Sequence, residues 1–221
     1  MSQTVIGSGV VRLTGSTSGY TEITAPAEAG SNTLILPTGN GTADQVLAGN
    51  GSGTLSFVDR GRMVLETAKN ATILAVFFLD IPSWVKRITV MLNEVSTNGS
   101  SIPLIQLGDD SGGIEITGYN SVCISVSAIS NNTTRNETST AGILLGTDSN
   151  NSAGAITGNI SINKISGNTW ITTGNFTGSN AAGNSVYTTI STKTLSSTLD
   201  RIRIITADPF DDGTINILYE G

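Results

Sequence analysis

The 221-residue chain reads as all-β: an antiparallel β-sandwich, jelly-roll-like, preceded by a short β-rich N-terminal segment. Three observations predict this. Apolar and small polar residues alternate with a period of two over long stretches after position 60, as in half-buried strands. Clusters of Gly, Asn, Ser and Asp punctuate those stretches at the spacing of turns. No window sustains a 3.6-residue period with caps, so helix is expected to be minor.

The chain divides near Arg60 into residues 1–60 and 61–221. In the first part, strands are expected at Tyr20 to Thr24, Thr33 to Leu36, Gln45 to Ala48 and Thr54 to Val58. Each is bounded by turn chemistry such as Pro37-Thr38-Gly39-Asn40-Gly41 and Gly49-Asn50-Gly51. So few large apolar residues cannot close a core alone, and the cheapest neighbours are copies of the same chain. Leu34, Ile35, Leu36, Leu55, Phe57 and Val58 are too apolar for a plain linker, and are the expected interface residues of a docking and trimerisation segment.

In the second part the alternation is clear at Ile156, Gly158, Ile160 and Ile162, and at Val122, Ile124, Val126 and Ala128 against Cys123, Ser125 and Ser127. It returns at Ile202 and Ile204, and at Ile215, Ile217 and Tyr219. One face of each such strand is expected on a core and the other in water. Further strands are expected at Arg62 to Ala68, Ile73 to Leu79, Val85 to Val95, Ile102 to Leu107, Thr169 to Phe176 and Val186 to Leu195, roughly eight to ten in all. Asn98 to Ser100, Gly108 to Gly113, Asn131 to Thr140, Asp148 to Gly154 and Gly178 to Ser185 read as loops.

Composition excludes several functions. The absence of histidine removes His-based triads, His metal ligands and a His pH switch. The single cysteine, Cys123, can form neither an internal disulfide nor a thiolate zinc cluster, and reads as a small buried hydrophobe. The longest apolar run, Ile73 to Leu79, is far short of a membrane helix, and the N-terminus shows no signal-peptide pattern. A net charge of -6 with 11 scattered basic residues argues against nucleic-acid binding through a basic face.

Candidate sites are few. Asp208, Asp211 and Asp212 gather in a turn that could hold calcium, but the spacing is not an EF-hand's and a solvated turn closed by Gly213 is the plain reading. Asp109, Asp110 and Glu115 are read the same way. Trp84 and Trp170 could stack on a sugar, although a tryptophan at a strand start is more often packing. Arg201 and Arg203 suggest an ion-pair ladder near the acidic turn. Triplets such as Asn132-Thr-Thr follow from composition and mean little without a secretion signal. No catalytic, cofactor-binding or metal-binding set emerges, no cofactor is called for, and an enzyme is not expected.

Two stretches carry a resemblance. Leu13 to Tyr20, continuing through Ala25-Pro-Ala to Ser31-Asn-Thr-Leu-Ile-Leu-Pro-Thr-Gly39, resembles a segment of phage fibre and virion surface proteins, especially those of viruses of cyanobacteria and other aquatic bacteria. Phe78 to Met91, Leu104 to Asp109, Gly113 to Tyr119, Gly167 to Trp170, Leu199 to Arg203 and Asp212 to Tyr219 resemble a β domain of phage tail or head-surface proteins. The resemblance implies a bacteriophage virion structural protein, homotrimeric, assembled in the host cytoplasm and displayed on the outer surface of the particle. The missing signal peptide and disulfides agree with that origin.

Three roles follow from the resemblance. The first is a capsid decoration (cement) protein on the major capsid protein, with accessory adhesion to a host-surface glycan through many weak copies. The alternative is a tail fibre or tailspike tip binding a receptor polysaccharide, and the third is a depolymerase. About 60 residues ahead of the sandwich are too few for a fibre shaft, and no rung repeat is visible. Decoration is therefore preferred; the depolymerase lacks histidine, a credible acid pair and an aromatic cleft.

Overall fold

A computed structural model describes residues 10–24, 26–28, 30–43, 45–127, 134–147, 154–180 and 183–221. The chain is all-β, with no helix among the described residues. It splits into two compact units, Met1–Arg60 and Gly61–Gly221.

The first unit holds two antiparallel hairpins. β1 (Val10–Thr14) pairs with β2 (Tyr20–Thr24), and β3 (Gln45–Gly49) with β4 (Leu55–Asp59). Thr33 to Leu36 is not a regular strand: Ile35 forms a single parallel bridge to Thr54.

The second unit begins with β5 (Met63–Leu65), β6 (Lys69–Asn70), β7 (Ala75–Phe78), β8 (Arg87–Thr97), β9 (Leu104–Asp109) and β10 (Gly113–Ile114). β11 (Asn120–Ser127), β12 (Thr134–Ser139) and β13 (Ile143–Leu144) follow. The long strands β14 (Ala155–Ser166), β15 (Thr169–Asn180) and β16 (Gly183–Thr194) then form a meander, and β17 (Leu199–Ile205) and β18 (Phe210–Glu220) end the chain. The larger sheet runs β12-β11-β16-β15-β14-β8-β18-β5, with β6 also on β18, and it curls. The smaller runs β10-β9-β17-β7, with β13 also on β9. One core draws on both: Ile88, Val90, Ile160, Ile162, Ile215 and Ile217 from the larger, Ile105, Leu107, Ile202 and Ile204 from the smaller.

Several differences from the sequence reading have local causes. Thr134–Ser139, read as loop, is β12, because β11 offers it a full ladder from Ser121 to Val126. The ends of β15 and β16 pair up to Asn180 and Gly183, so the expected Gly178–Ser185 loop is mostly strand. Strands number more than eight to ten because two-residue pairings cap the sheet edges.

The main difference is on β11. Its apolar residues Val122, Ile124 and Val126 face out, while Ser121, Cys123 and Ser125 are buried. The cause is the segment carrying β13, which lies against the inner side of β11. Ser121 Oγ accepts from Leu144 N–H at 3.1 Å, and Ser125 Oγ lies 3.0 Å from Thr147 Oγ1. Only small residues leave room for a backbone that close. Cys123 is buried there as expected, and burial pushes its thiol up to about 12.

A bulge joins β8 to β18, where the register shifts on both sides of Asp212. Gly213 enables it, with φ of 100° and an ideal Cβ position only 2.5 Å from the Glu94 carbonyl oxygen.

Candidate functional site

The first unit carries the surface that most needs explanation. In the β1–β2 hairpin, Val11 stands opposite Ile23 and Arg12 opposite Glu22. Successive side chains alternate faces, so Val11, Leu13 and Ile23 share one side and Arg12, Tyr20 and Glu22 the other. The polar side is organised: Arg12 Nε donates to Glu22 Oε1 at 2.6 Å, and the guanidinium lies 4.2 Å from the centre of the Tyr20 ring. The apolar side is exposed along its length.

The β3–β4 hairpin differs in carrying an apolar pair on each side. Val46 faces Val58 and Leu47 faces Phe57. The segment before it is tied on by Ile35 N–H to the Gly53 carbonyl and Leu55 N–H to the Ile35 carbonyl, each 2.8 Å. Gly53 permits this, because a Cβ there would lie 2.0 Å from the Thr33 carbonyl oxygen. The loop between the strands is closed by Asn50 Oδ1, which accepts from Ser52 N–H at 2.8 Å and Thr54 N–H at 3.2 Å.

The structure places the six expected interface residues on this assembly. Leu34 is 67% exposed, Ile35 52%, Leu36 66% and Val58 39%, while Leu55 and Phe57 are half-buried, with the Phe57 ring under Gly41. Sequence reasoning missed Val11, Leu13 and Ile23 as part of the same character. Extended backbone from Thr4 to Leu13, which the sequence offers as an added strand for a neighbouring protein's sheet edge, falls partly on residues 4–9, outside the described residues. Among the described residues of this unit, no hydrophobic side chain is buried; the buried set begins at Ala71. Burying a Leu or Ile is worth about 1.5–3 kcal/mol, and an isolated hairpin is marginal in water. These apolar side chains are left in solvent within the unit.

The strongest electrostatic site lies in the second unit and is internal. Asp109, read as part of a solvated turn, has no exposed surface. Its Oδ1 accepts from Gly112 N–H at 2.8 Å, Ser111 hydroxyl at 3.0 Å and Ser111 N–H at 3.1 Å, and its Oδ2 from Ser197 N–H at 2.8 Å. Ser196 Oγ sits 2.7 Å from both Asp109 Oδ2 and Glu115 Oε1, and its one proton serves one of them at a time. Burial alone would raise the Asp109 carboxyl, but the donors, Ser196 first, outweigh it and hold the group far below the usual carboxylate range. Burial likewise opposes a lowering of Glu115, which the buried Lys193 ammonium and Ser196 impose. Lys193 also donates to the Thr117 carbonyl at 2.9 Å. Internal donors consume both carboxylates, so the cluster staples the β9–β10 turn to the loop after β16.

The other candidates disperse. Asp208 accepts from Ser101, Asp211 from Ser96 and Asp212 from Gly213 N–H, so the three carboxylates take separate partners. Among the described residues no three such side chains converge on a metal position. Arg201 and Arg203 form no ladder: Arg201 pairs with its neighbour Asp200, and Arg203 donates to Gln106 at 2.9 Å. Trp170 is core, and Trp84 packs 5.7 Å from Tyr219. Asn132 lies outside the described residues. Comparison with protein-family models, curated proteins and solved structures gives no match.

Proposed function

We propose that the chain is a bacteriophage virion structural protein: a homotrimeric capsid decoration protein on the outer head surface. In this reading the first unit docks, packing Leu34, Leu36 and their neighbours about a threefold axis and against the major capsid protein. The jelly-roll-like second unit faces outward, where many copies give accessory adhesion to a host-surface glycan. The observation that carries the reading is the contrast in burial. A unit with no buried hydrophobic among its described residues precedes one with a full core, as expected of a foot completed by its partners. The virion context rests on the resemblance of the two sequence stretches.

The test is the copy number in purified virions, by gel densitometry against the major capsid protein. A ratio approaching one-to-one supports decoration. A few copies per hundred places the trimers at the tail and favours the fibre-tip alternative. Absence from the virion contradicts both. Deleting residues 1–58 is expected to leave a soluble second unit that no longer enters particles, and normal incorporation of that variant contradicts the docking role.

A further inference from the structure

The inversion of β11 leaves a second surface unexplained, on the opposite unit and independent of the foot. Across the outer side of the larger sheet, Val122 stands opposite Ile190 and Val126 opposite Val186, with Ile124 between them opposite Thr188. Ile190 is 58% exposed and Val186 57%, and Val122, Ile124 and Val126 are exposed as well. These β-branched side chains form one continuous apolar patch over two adjacent strands.

The patch sits in a wider uncharged field. The registers of β12, β11, β16, β15 and β14 put Thr134, Asn136 and Thr138 at one edge and Asn159, Ser161 and Asn163 at the other, with Ile171, Thr173, Asn175 and Thr177 between. The charged residues of β12, Arg135 and Glu137, stand opposite Ser125 and Cys123 and so belong to the other side. No side chain on this five-strand field carries a charge. Some of its polar groups are satisfied within it: the Thr188 hydroxyl donates to Asn175 Oδ1 at 2.9 Å, and the Thr177 hydroxyl to the Thr157 carbonyl at 3.2 Å.

From this we infer that the field pairs face to face with the same field of a second copy of this chain. Charge favours that occupant. The chain bears a net charge of -6, so the approach of two copies is opposed least where charge is absent. A surface without charge is also compatible with its own image, as a two-fold contact requires. Size agrees. With strands about 4.8 Å apart and about 3.3 Å of rise per residue, five strands over seven residues present about 500 Å², so two copies bury at most about 1,000 Å², the threshold of a specific interface. Two sheets meeting this way pack about 10 Å apart with their strands nearly aligned.

The test uses the full chain and its mass by sedimentation equilibrium. Ile190→Glu places a carboxylate opposite its own copy, and is expected to halve the mass while leaving the circular dichroism spectrum and melting curve unchanged. Ile190→Lys should do the same. An equimolar mixture of the two variants should restore the doubled mass, because unlike charges then meet across the interface. The same factor of two should appear with Leu36→Asp also present, which separates this contact from the foot. Equal masses for wild type and Ile190→Glu overturn the pairing. So does a halved mass that the mixture fails to restore, or a face that binds soluble polysaccharide while the wild-type mass stays undoubled.

Discussion

The two units use similar local chemistry to opposite ends. Both pair antiparallel strands in register, and both set aliphatic residues opposite one another: Val11 on Ile23 and Val46 on Val58 in the first, Ile88 on Ile162 and Val90 on Ile160 in the second. In the second unit the inward-facing ones meet across two sheets and are buried; in the first they pair across single hairpins, and none among the described residues is fully buried. The hydrogen-bond ladder is therefore not what separates a unit with a buried core from one without. Net stabilisation comes mainly from apolar area removed from water, and a lone hairpin has nowhere to put it. The outer side of β11 and β16 repeats the lesson inside the second unit, where one sheet has a covered side and an uncovered one.

The contrast can be broken or sharpened by substitution. Ile160→Ala, in the shared core, is expected to cost about 3–4 kcal/mol in the second unit's thermal unfolding, whereas Phe57→Ala leaves that transition in place. A comparable loss from Phe57→Ala contradicts the separation of the units.

Asp109→Asn comes next, at about 3 kcal/mol, because an amide must set donors against the N–H groups of Gly112 or Ser197. The folded-state pKa of Asp109 lies below its unfolded value, so its stabilising contribution is complete above about pH 4 and is lost as pH falls toward the folded value. The difference in melting temperature between wild type and Asp109→Asn should therefore be full at neutral pH and shrink in acid. A difference that grows in acid refutes the assignment.

Gly213→Ala is expected to cost about 2 kcal/mol, through its positive φ and the crowding against the Glu94 carbonyl. Leu36→Asp should move the second unit's unfolding by no more than about 0.5 kcal/mol, since the side chain is exposed, and yet should abolish assembly through the foot. The smallest stability effect is thus paired with the largest effect on association.

Much of the fold was legible in sequence, and the exceptions are instructive. β2 is expected and found at Tyr20–Thr24, and the alternation at Ile160 and Ile162 correctly marks the side of β14 that faces the core. On β11 the same alternation points the wrong way, because the choice of side is made by a segment some twenty residues downstream that needs small neighbours. Two-residue strands such as β10 and β13 have no period to detect. Thr134–Ser139 is too polar to read as strand, and it exists because β11 supplies an open edge. Thr33 to Leu36 reads as strand from its aliphatics, but is tied only at Ile35 and stays irregular. Of the candidate surface, Leu34 to Leu36 and the residues of β4 were visible as apolar excess. The buried role of Asp109 was not, because its donors Ser196 and Ser197 stand 87 and 88 residues away.

Whether the first unit is completed by copies of itself is tested most directly by the mass of the full chain against the double variant Leu34→Asp with Leu36→Asp, measured by sedimentation equilibrium. Completion about a threefold axis requires the wild type to have three times the mass of the double variant, with the second unit's melting unchanged in both. Equal masses, with the wild-type apolar surface still exposed to a hydrophobic dye, would contradict it.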